Sequence, residues 1–253
     1  MLIDSHCHLY AEEFNNDLDL VMQRALEAGV KKFYLPAIDS NTTLAMLKLE
    51  DLYPGTCICM AGLHPCSVKE NFEQELDLVY DMVSKRKFAA IGEIGLDFYW
   101  DKTFSKEQYE AFNRQISLAV SANLPIVIHT REAMKETIEV VQGYQGKVKG
   151  IFHCFGGSLQ DAETITNMGF LLGIGGVITY KNAGVAEVIR QIDLNHLVLE
   201  TDAPYLAPVP FRGKRNESSY LTYIQEKIAA IKNIDPEEVA AVTTANALRL
   251  FAR

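Results

Sequence analysis

No apolar stretch in this 253-residue chain approaches the ~20 residues that a membrane-spanning helix needs. The longest such runs are strand-sized, so a transmembrane helix is excluded. The N-terminus lacks a basic region followed by a long apolar run, and no secretory signal is evident. Low-complexity tracts, charge blocks and Pro/Ser-rich linkers are also missing, and one domain spanning 1–253 is expected. Cysteine is scarce and odd in number. Cys7, Cys57, Cys59, Cys66 and Cys154 do not make a disulfide framework in a chain this long; they read as reduced thiols in a cytoplasmic protein. Cys57 and Cys59 belong to a run that reads as a buried strand, and Cys7, flanked by two histidines, should point away from them. Lys and Arg number 24 against 33 Asp and Glu, a net charge of −9. That excludes a broad basic surface coating nucleic acid, though not a local grip on an anionic end.

What the chain does have is alternation. Short β-rich apolar runs at 2–6, 31–36, 57–62, 88–93, 125–129, 149–153, 170–174 and 196–201 are separated by helical stretches. In one of these Leu18, Val21, Met22, Ala25 and Leu26 recur at helical spacing. Strand–helix alternation implies a parallel sheet, and eight strands in about 250 residues imply an α/β fold closed as a (β/α)8 TIM barrel. The eighth helix is expected from Glu217 to Ile231. Asp235-Pro236-Glu237-Glu238 then opens an additional C-terminal helix, with a capping residue, proline in the first turn and acids at the positive dipole end. This last helix is expected to pack across the outside of the barrel.

The chemistry-bearing residues stand at the ends of those runs. His6 and His8, two apart, would share one side of a strand. His64, Glu93, His129, His153 and Asp202 close later runs, which puts five of the six histidines at the strand ends where barrel enzymes build active sites. His196 starts a strand and belongs to the opposite end. Imidazoles and carboxylates suit Zn, Mn, Fe, Co or Ni, with Mg where oxygen dominates. Six ligands (His6, His8, Glu93, His129, His153 and Asp202) exceed what one cation needs, so two divalent ions are expected, with Glu93 bridging them. Asp202 is suited to take a proton from an attacking water. Glu200 and Asp4 are expected to support ligands through hydrogen bonds, and Asp97 to order Glu93 from the same loop. His64 could contact substrate or water, or be structural. Tyr99 and Trp100 could form an aromatic wall or simply pack. Arg131, Arg212, Lys214 and Arg215 would supply phosphate-binding cations on the rim.

Taken together, Ile3-Asp4-Ser5-His6-Cys7-His8-Leu9, Gly92-Glu93-Ile94-Gly95-Leu96-Asp97, Pro125 to Ala133, His153 to Ser158, Glu200 to Leu206 and Arg212 to Glu217 resemble the TatD family of metal-dependent deoxyribonucleases, among the amidohydrolase-like barrels. The resemblance covers essentially the whole chain. It implies one metal held by His6, His8, Glu93 and Asp202, and a second held by Glu93, His129 and His153. It also implies a Mg2+-supported nuclease acting on DNA ends, often from the 3′ side; from the sequence itself, no membrane association and no obligate protein partner are expected. Ser218 departs from the proline common in the family after Asn-Glu, which touches loop rigidity and not ligation.

Two alternatives stay open. One is an amidohydrolase-class enzyme acting on a small amide, lactone or phosphoester; many dinuclear members bridge their metals with a modified lysine at strand four, where this chain has Glu93. The other is a non-catalytic barrel with a structural metal, against which the thiolate-free ligand set speaks.

Overall fold

The computed structural model describes residues 1–144 and 146–252. Eight strands run parallel in chain order: β1 (Leu2–Asp4), β2 (Val30–Leu35), β3 (Cys57–Cys59), β4 (Ile91–Asp97), β5 (Ile126–Arg131), β6 (Gly150–Phe152), β7 (Leu171–Ile174) and β8 (Leu197–Leu199). Regular ladders join β1 to β3 and β4 to β8. Sparser bonds close the two seams. Ala61 N–H donates to the Ala90 carbonyl and Gly92 N–H to that of Ala61, while Ser5 N–H reaches the Leu199 carbonyl and Asp202 N–H that of His6. The result is a (β/α)8 barrel.

Helices α1 (Leu18–Glu27), α2 (Ser40–Leu52), α3 (Phe72–Lys85), α4 (Ser105–Ala122), α5 (Met134–Gln142), α6 (Leu159–Asn167), α7 (Val185–Gln191) and α8 (Leu221–Lys232) form the outer layer. Each buries a stripe at helical spacing, such as Val21, Met22 and Ala25 of α1 or Ala111, Phe112, Ile116 and Ala119 of α4. Alternate strand residues sort into two cores. Leu2, Ile126, Ile128 and Phe152 face the helices, whereas Ile3, Val127, Ile151 and Val198 fill the barrel.

Several strand boundaries differ by a few residues from the sequence expectation, and two differences, the end of β4 and the placement of the last helix, shape the barrel. β4 does not stop at Glu93; it continues to Asp97, all seven residues buried. Its register shifts between Ile91 and Ile94, and Gly95 sits at φ +149°, where a Cβ would lie 1.9 Å from the His129 carbonyl oxygen. A side chain there would break the β4–β5 contact. Asp97 therefore ends the strand and does not share a loop with Glu93. The additional helix α9 (Pro236–Phe251) starts as expected, Asp235 capping Glu237 N–H ahead of Pro236. It does not lie on the outside, however. Ala247 and Phe251 belong to the barrel's interior core, Phe251 stacks on Tyr34 at 3.9 Å, and Asn246 donates to the Leu194 and Leu197 carbonyls. α9 closes the N-terminal mouth. The opposite mouth is left open to the site.

Candidate metal centre

At the C-terminal mouth the strand ends surround a cavity of about 810 Å³. Glu93, buried within β4, points into it and meets imidazoles from four other segments. Oε2 lies 3.1 Å from His6 Nε2 and 3.6 Å from His8 Nε2. Oε1 lies 2.8 Å from His129 Nδ1, 3.1 Å from His153 Nε2 and 3.3 Å from His64 Nε2. Asp202, at φ +56° just past β8, sets Oδ1 3.4 Å from His8 Nε2 and 3.6 Å from His6 Nε2. The six expected ligand residues thus come together, although β1 ends at Asp4 and both His6 and His8 stand beyond it.

The outer partners decide which nitrogen lone pairs face inward. His8 Nδ1 donates to the Tyr10 hydroxyl at 2.9 Å, which itself donates to the Pro36 carbonyl at 2.5 Å, leaving Nε2 free to ligate. Glu200 Oε1 accepts from His153 Nδ1 at 3.2 Å and from Cys154 N–H at 2.5 Å, so His153 also presents Nε2. Asp97 Oδ2 lies 2.9 Å from His129 Nε2, leaving Nδ1 turned toward Glu93. His64 is different. Its Nδ1 accepts Cys66 N–H at 3.0 Å, so the neutral ring carries its proton on Nε2, and the group facing the cavity is a donor. Beneath the site, Asp4 accepts from Thr201 N–H at 3.0 Å and from its hydroxyl at 2.6 Å, joining the end of β1 to the chain after β8.

Electrostatics fit a cation. Burial pushes the Glu93 carboxyl up, but the charges of His64, His153 and His6 and the His129 hydrogen bond hold it well below the usual carboxylate range. Asp202 is likewise lowered, burial being outweighed by the His8 hydrogen bond and by His153 and His6. Burial pushes His153 down, yet Glu93 and Glu200 raise it well above an ordinary imidazole. Burial alone governs the sign at Asp4, pushed up to about 7 despite its donors. Both carboxylates, Glu93 buried and Asp202 half-buried, thus lean on imidazoles for positive charge. His6 Nε2 and His8 Nε2 stand only 3.3 Å apart, a convergence of nitrogens that suits a shared metal ion. Among the described residues, three groups have ligand atoms close enough for one ion: His6–His8–Glu93, His6–His153–Asp202 and His64–Glu93–His129. Glu93 is common to two of them.

The rim divides the expected phosphate-binding cations. Arg131, Arg212 and Lys214 line the cavity. Arg215 does not: its guanidinium grips Asp17 through two 2.7 Å bonds, donates to the Glu13 carbonyl and lies over the Phe14 ring. It ties the loop after β8 to the start of α1 and is not among the residues that line the cavity. Sequence reading missed several residues that position the site. Tyr10 is one. Gln108 and Gln115, seven apart on α4, are others, each clamping a backbone segment through both amide atoms, at Asp97 at the end of β4 and at Leu63 beyond β3 respectively. Their signal was a polar residue recurring on the apolar face of a helix.

A family model described as TatD related DNase matches residues 3–252. The chain belongs to the TatD family. It is 40% identical over 253 residues to the uncharacterized metal-dependent hydrolase YabD of Bacillus subtilis, covering 99% of both proteins. It is 34% identical over 257 residues to the protein named 3′-5′ ssDNA/RNA exonuclease TatD of Salmonella typhimurium, covering 99% of this chain and 98% of that one. The crystal structure of YJJV, a TatD homologue of Escherichia coli, superposes with a TM-score of 0.94 at 29% identity, over 100% of this chain and 98% of that one. This TatD-family chain is accordingly a metal-dependent hydrolase.

Proposed function

We propose that this hydrolase is a deoxyribonuclease using two divalent ions, of the Mg, Mn or Zn class, to remove nucleotides from the 3′ end of a DNA strand. One observation carries the dinuclear reading. The two oxygens of Glu93 face different imidazoles, His6 and His8 on Oε2, His129 and His153 on Oε1. His6, His8 and Asp202 would complete one site, and His129 and His153 the other. Bound there, the ions would acidify a water and stabilise the attacking and leaving oxygens of a displacement. Asp202, held ionised, is the proton acceptor for that water. His64 donates from Nε2 to a phosphate oxygen, while Arg131, Arg212 and Lys214 hold flanking phosphates. The names of the family model and of the Salmonella relative support nucleic acid over a small amide or lactone.

The test is hydrolysis of end-labelled single-stranded DNA, duplex DNA and RNA by Mg2+-loaded protein, beside a panel of small esters, lactones and amides. A ladder shrinking from the 3′ end is expected. Intact strands together with turnover of a small substrate would overturn the nuclease reading in favour of an amidohydrolase-class one.

A further inference from the structure

Trp100, the chain's one tryptophan, is 68% exposed and lines the cavity that also contains Glu93, His129 and Asp202. An indole left in water at a cavity rim could simply be loose, but this one is braced. Tyr99 meets it edge to face at 4.9 Å and 86°. The Arg131 guanidinium lies 4.0 Å from the Tyr99 centroid and 5.1 Å from that of Trp100. The turn beneath is held by Asp97, whose Oδ1 accepts the N–H groups of Tyr99 at 2.9 Å and Trp100 at 3.1 Å. The other oxygen of that carboxylate holds His129. Lys69 then pairs with Asp101, one residue further on, at 2.9 Å. A single acid thus fixes both a candidate ligand and an exposed aromatic face.

We propose that Trp100 is a stacking platform for one nucleobase of a single-stranded substrate, with Arg131 taking an adjacent phosphate. The proposal rests on the nuclease reading and gives it a strand preference. Every base has a π-face, so stacking holds a strand without reading its sequence. In a duplex that face is covered by neighbouring bases. A free end or a single strand can offer it, and a blunt duplex must first unstack.

With one tryptophan in the chain, emission excited beyond tyrosine absorption reports this residue alone. The metal-loaded protein is titrated with a phosphorothioate-linked thymidine strand of about ten nucleotides, within the usual span of single-strand sites, carrying a dye for anisotropy. A strand of the same length built only of abasic nucleotides is the comparison. The expected result is binding of both, with emission quenched by the thymidine strand alone. Trp100→Ala should raise KM for single-stranded DNA on the order of tenfold, and Trp100→Phe should restore most of it. Binding of both strands with unchanged emission would overturn the platform and leave the nuclease reading standing. Failure of both strands to bind would overturn both readings, whereas loss of binding by the abasic strand alone would support the platform. An equal rise in KM for Trp100→Ala and Trp100→Phe would also sink the platform, since phenylalanine keeps an aromatic face.

Discussion

Burying Glu93 and Asp202 without counter-charge would cost several kcal/mol for each, and the surrounding imidazoles relieve that cost by donating hydrogen bonds and, at His153 and His129, by a raised tendency to hold a proton. His153 lies well above an ordinary imidazole, and His129 is raised by Asp97 and Glu93 against the downward push of burial. An upward shift favours the protonated imidazole, whose ligating lone pair is occupied. Metal uptake must therefore expel protons, and affinity should climb as pH rises toward and through those raised values. Calorimetric titration with Mn2+ in buffers of different ionisation enthalpy would measure the proton release; identical heats in all buffers would refute it. Asp97→Asn keeps the shape but alters which nitrogen of His129 is presented, and metal affinity should fall about 10–100-fold. Glu93→Gln leaves one oxygen acceptor in place of two, so elemental analysis should find less than the wild-type content, with both positions weakened. Unchanged stoichiometry would exclude bridging. Asp202→Asn cannot take a proton, and turnover should drop by roughly 10²–10⁴-fold even at saturating metal.

Elements were legible where periodicity is strong and less so where backbone geometry decides. The alternation of apolar runs and helical stripes gives all eight strands and the Asp235-Pro236 helix start. The end of β4 was missed because Gly95 allows close approach to β5 and carries the strand past Glu93 to Asp97, a consequence of packing that composition does not announce. The convergence of His6, His8, Glu93, His129, His153 and Asp202 was legible because barrel topology sends every strand end to one mouth. The fate of Arg215 was not, since its partner Asp17 lies 198 positions earlier. The placement of α9 was equally hidden, as its apolar stripe fits a wall or a plug. As a plug it stabilises the barrel: Phe251 is buried against Tyr34, and Phe251→Ala should cost about 3 kcal/mol, at the low end for a core phenylalanine. Urea unfolding with metal content measured in parallel is the check. A loss under 1 kcal/mol would mean that α9 rests on the mouth without sealing it.

The molecule as a whole carries a net charge of −9 and, on the nuclease reading, must hold a polyanion. Its average field repels that ligand, so attraction must come from cations acting at contact distance inside the cavity. Among the described residues three line it: Arg131, Arg212 against the Tyr180 ring at 4.5 Å, and Lys214. Arg215, paired with Asp17, has no charge to spare for a phosphate. At ionic strengths near 0.1 M and above, the Debye length is ~10 Å or less, long-range repulsion is screened, and the salt dependence counts local contacts. Each phosphate neutralised on a single strand contributes a slope of about 0.7. Replacing Arg212 and Lys214 together with alanine should therefore raise KM for a short DNA strand and flatten its log–log dependence on salt by about 1.4. Metal content should stay the same, because neither side chain is near Glu93's imidazoles as a ligand. Arg215→Ala should leave the slope alone and instead loosen the loop after β8, seen as faster amide exchange there. A slope unchanged by the double replacement but reduced by Arg215→Ala would reverse these assignments, and would require Arg215 to leave Asp17 when DNA binds.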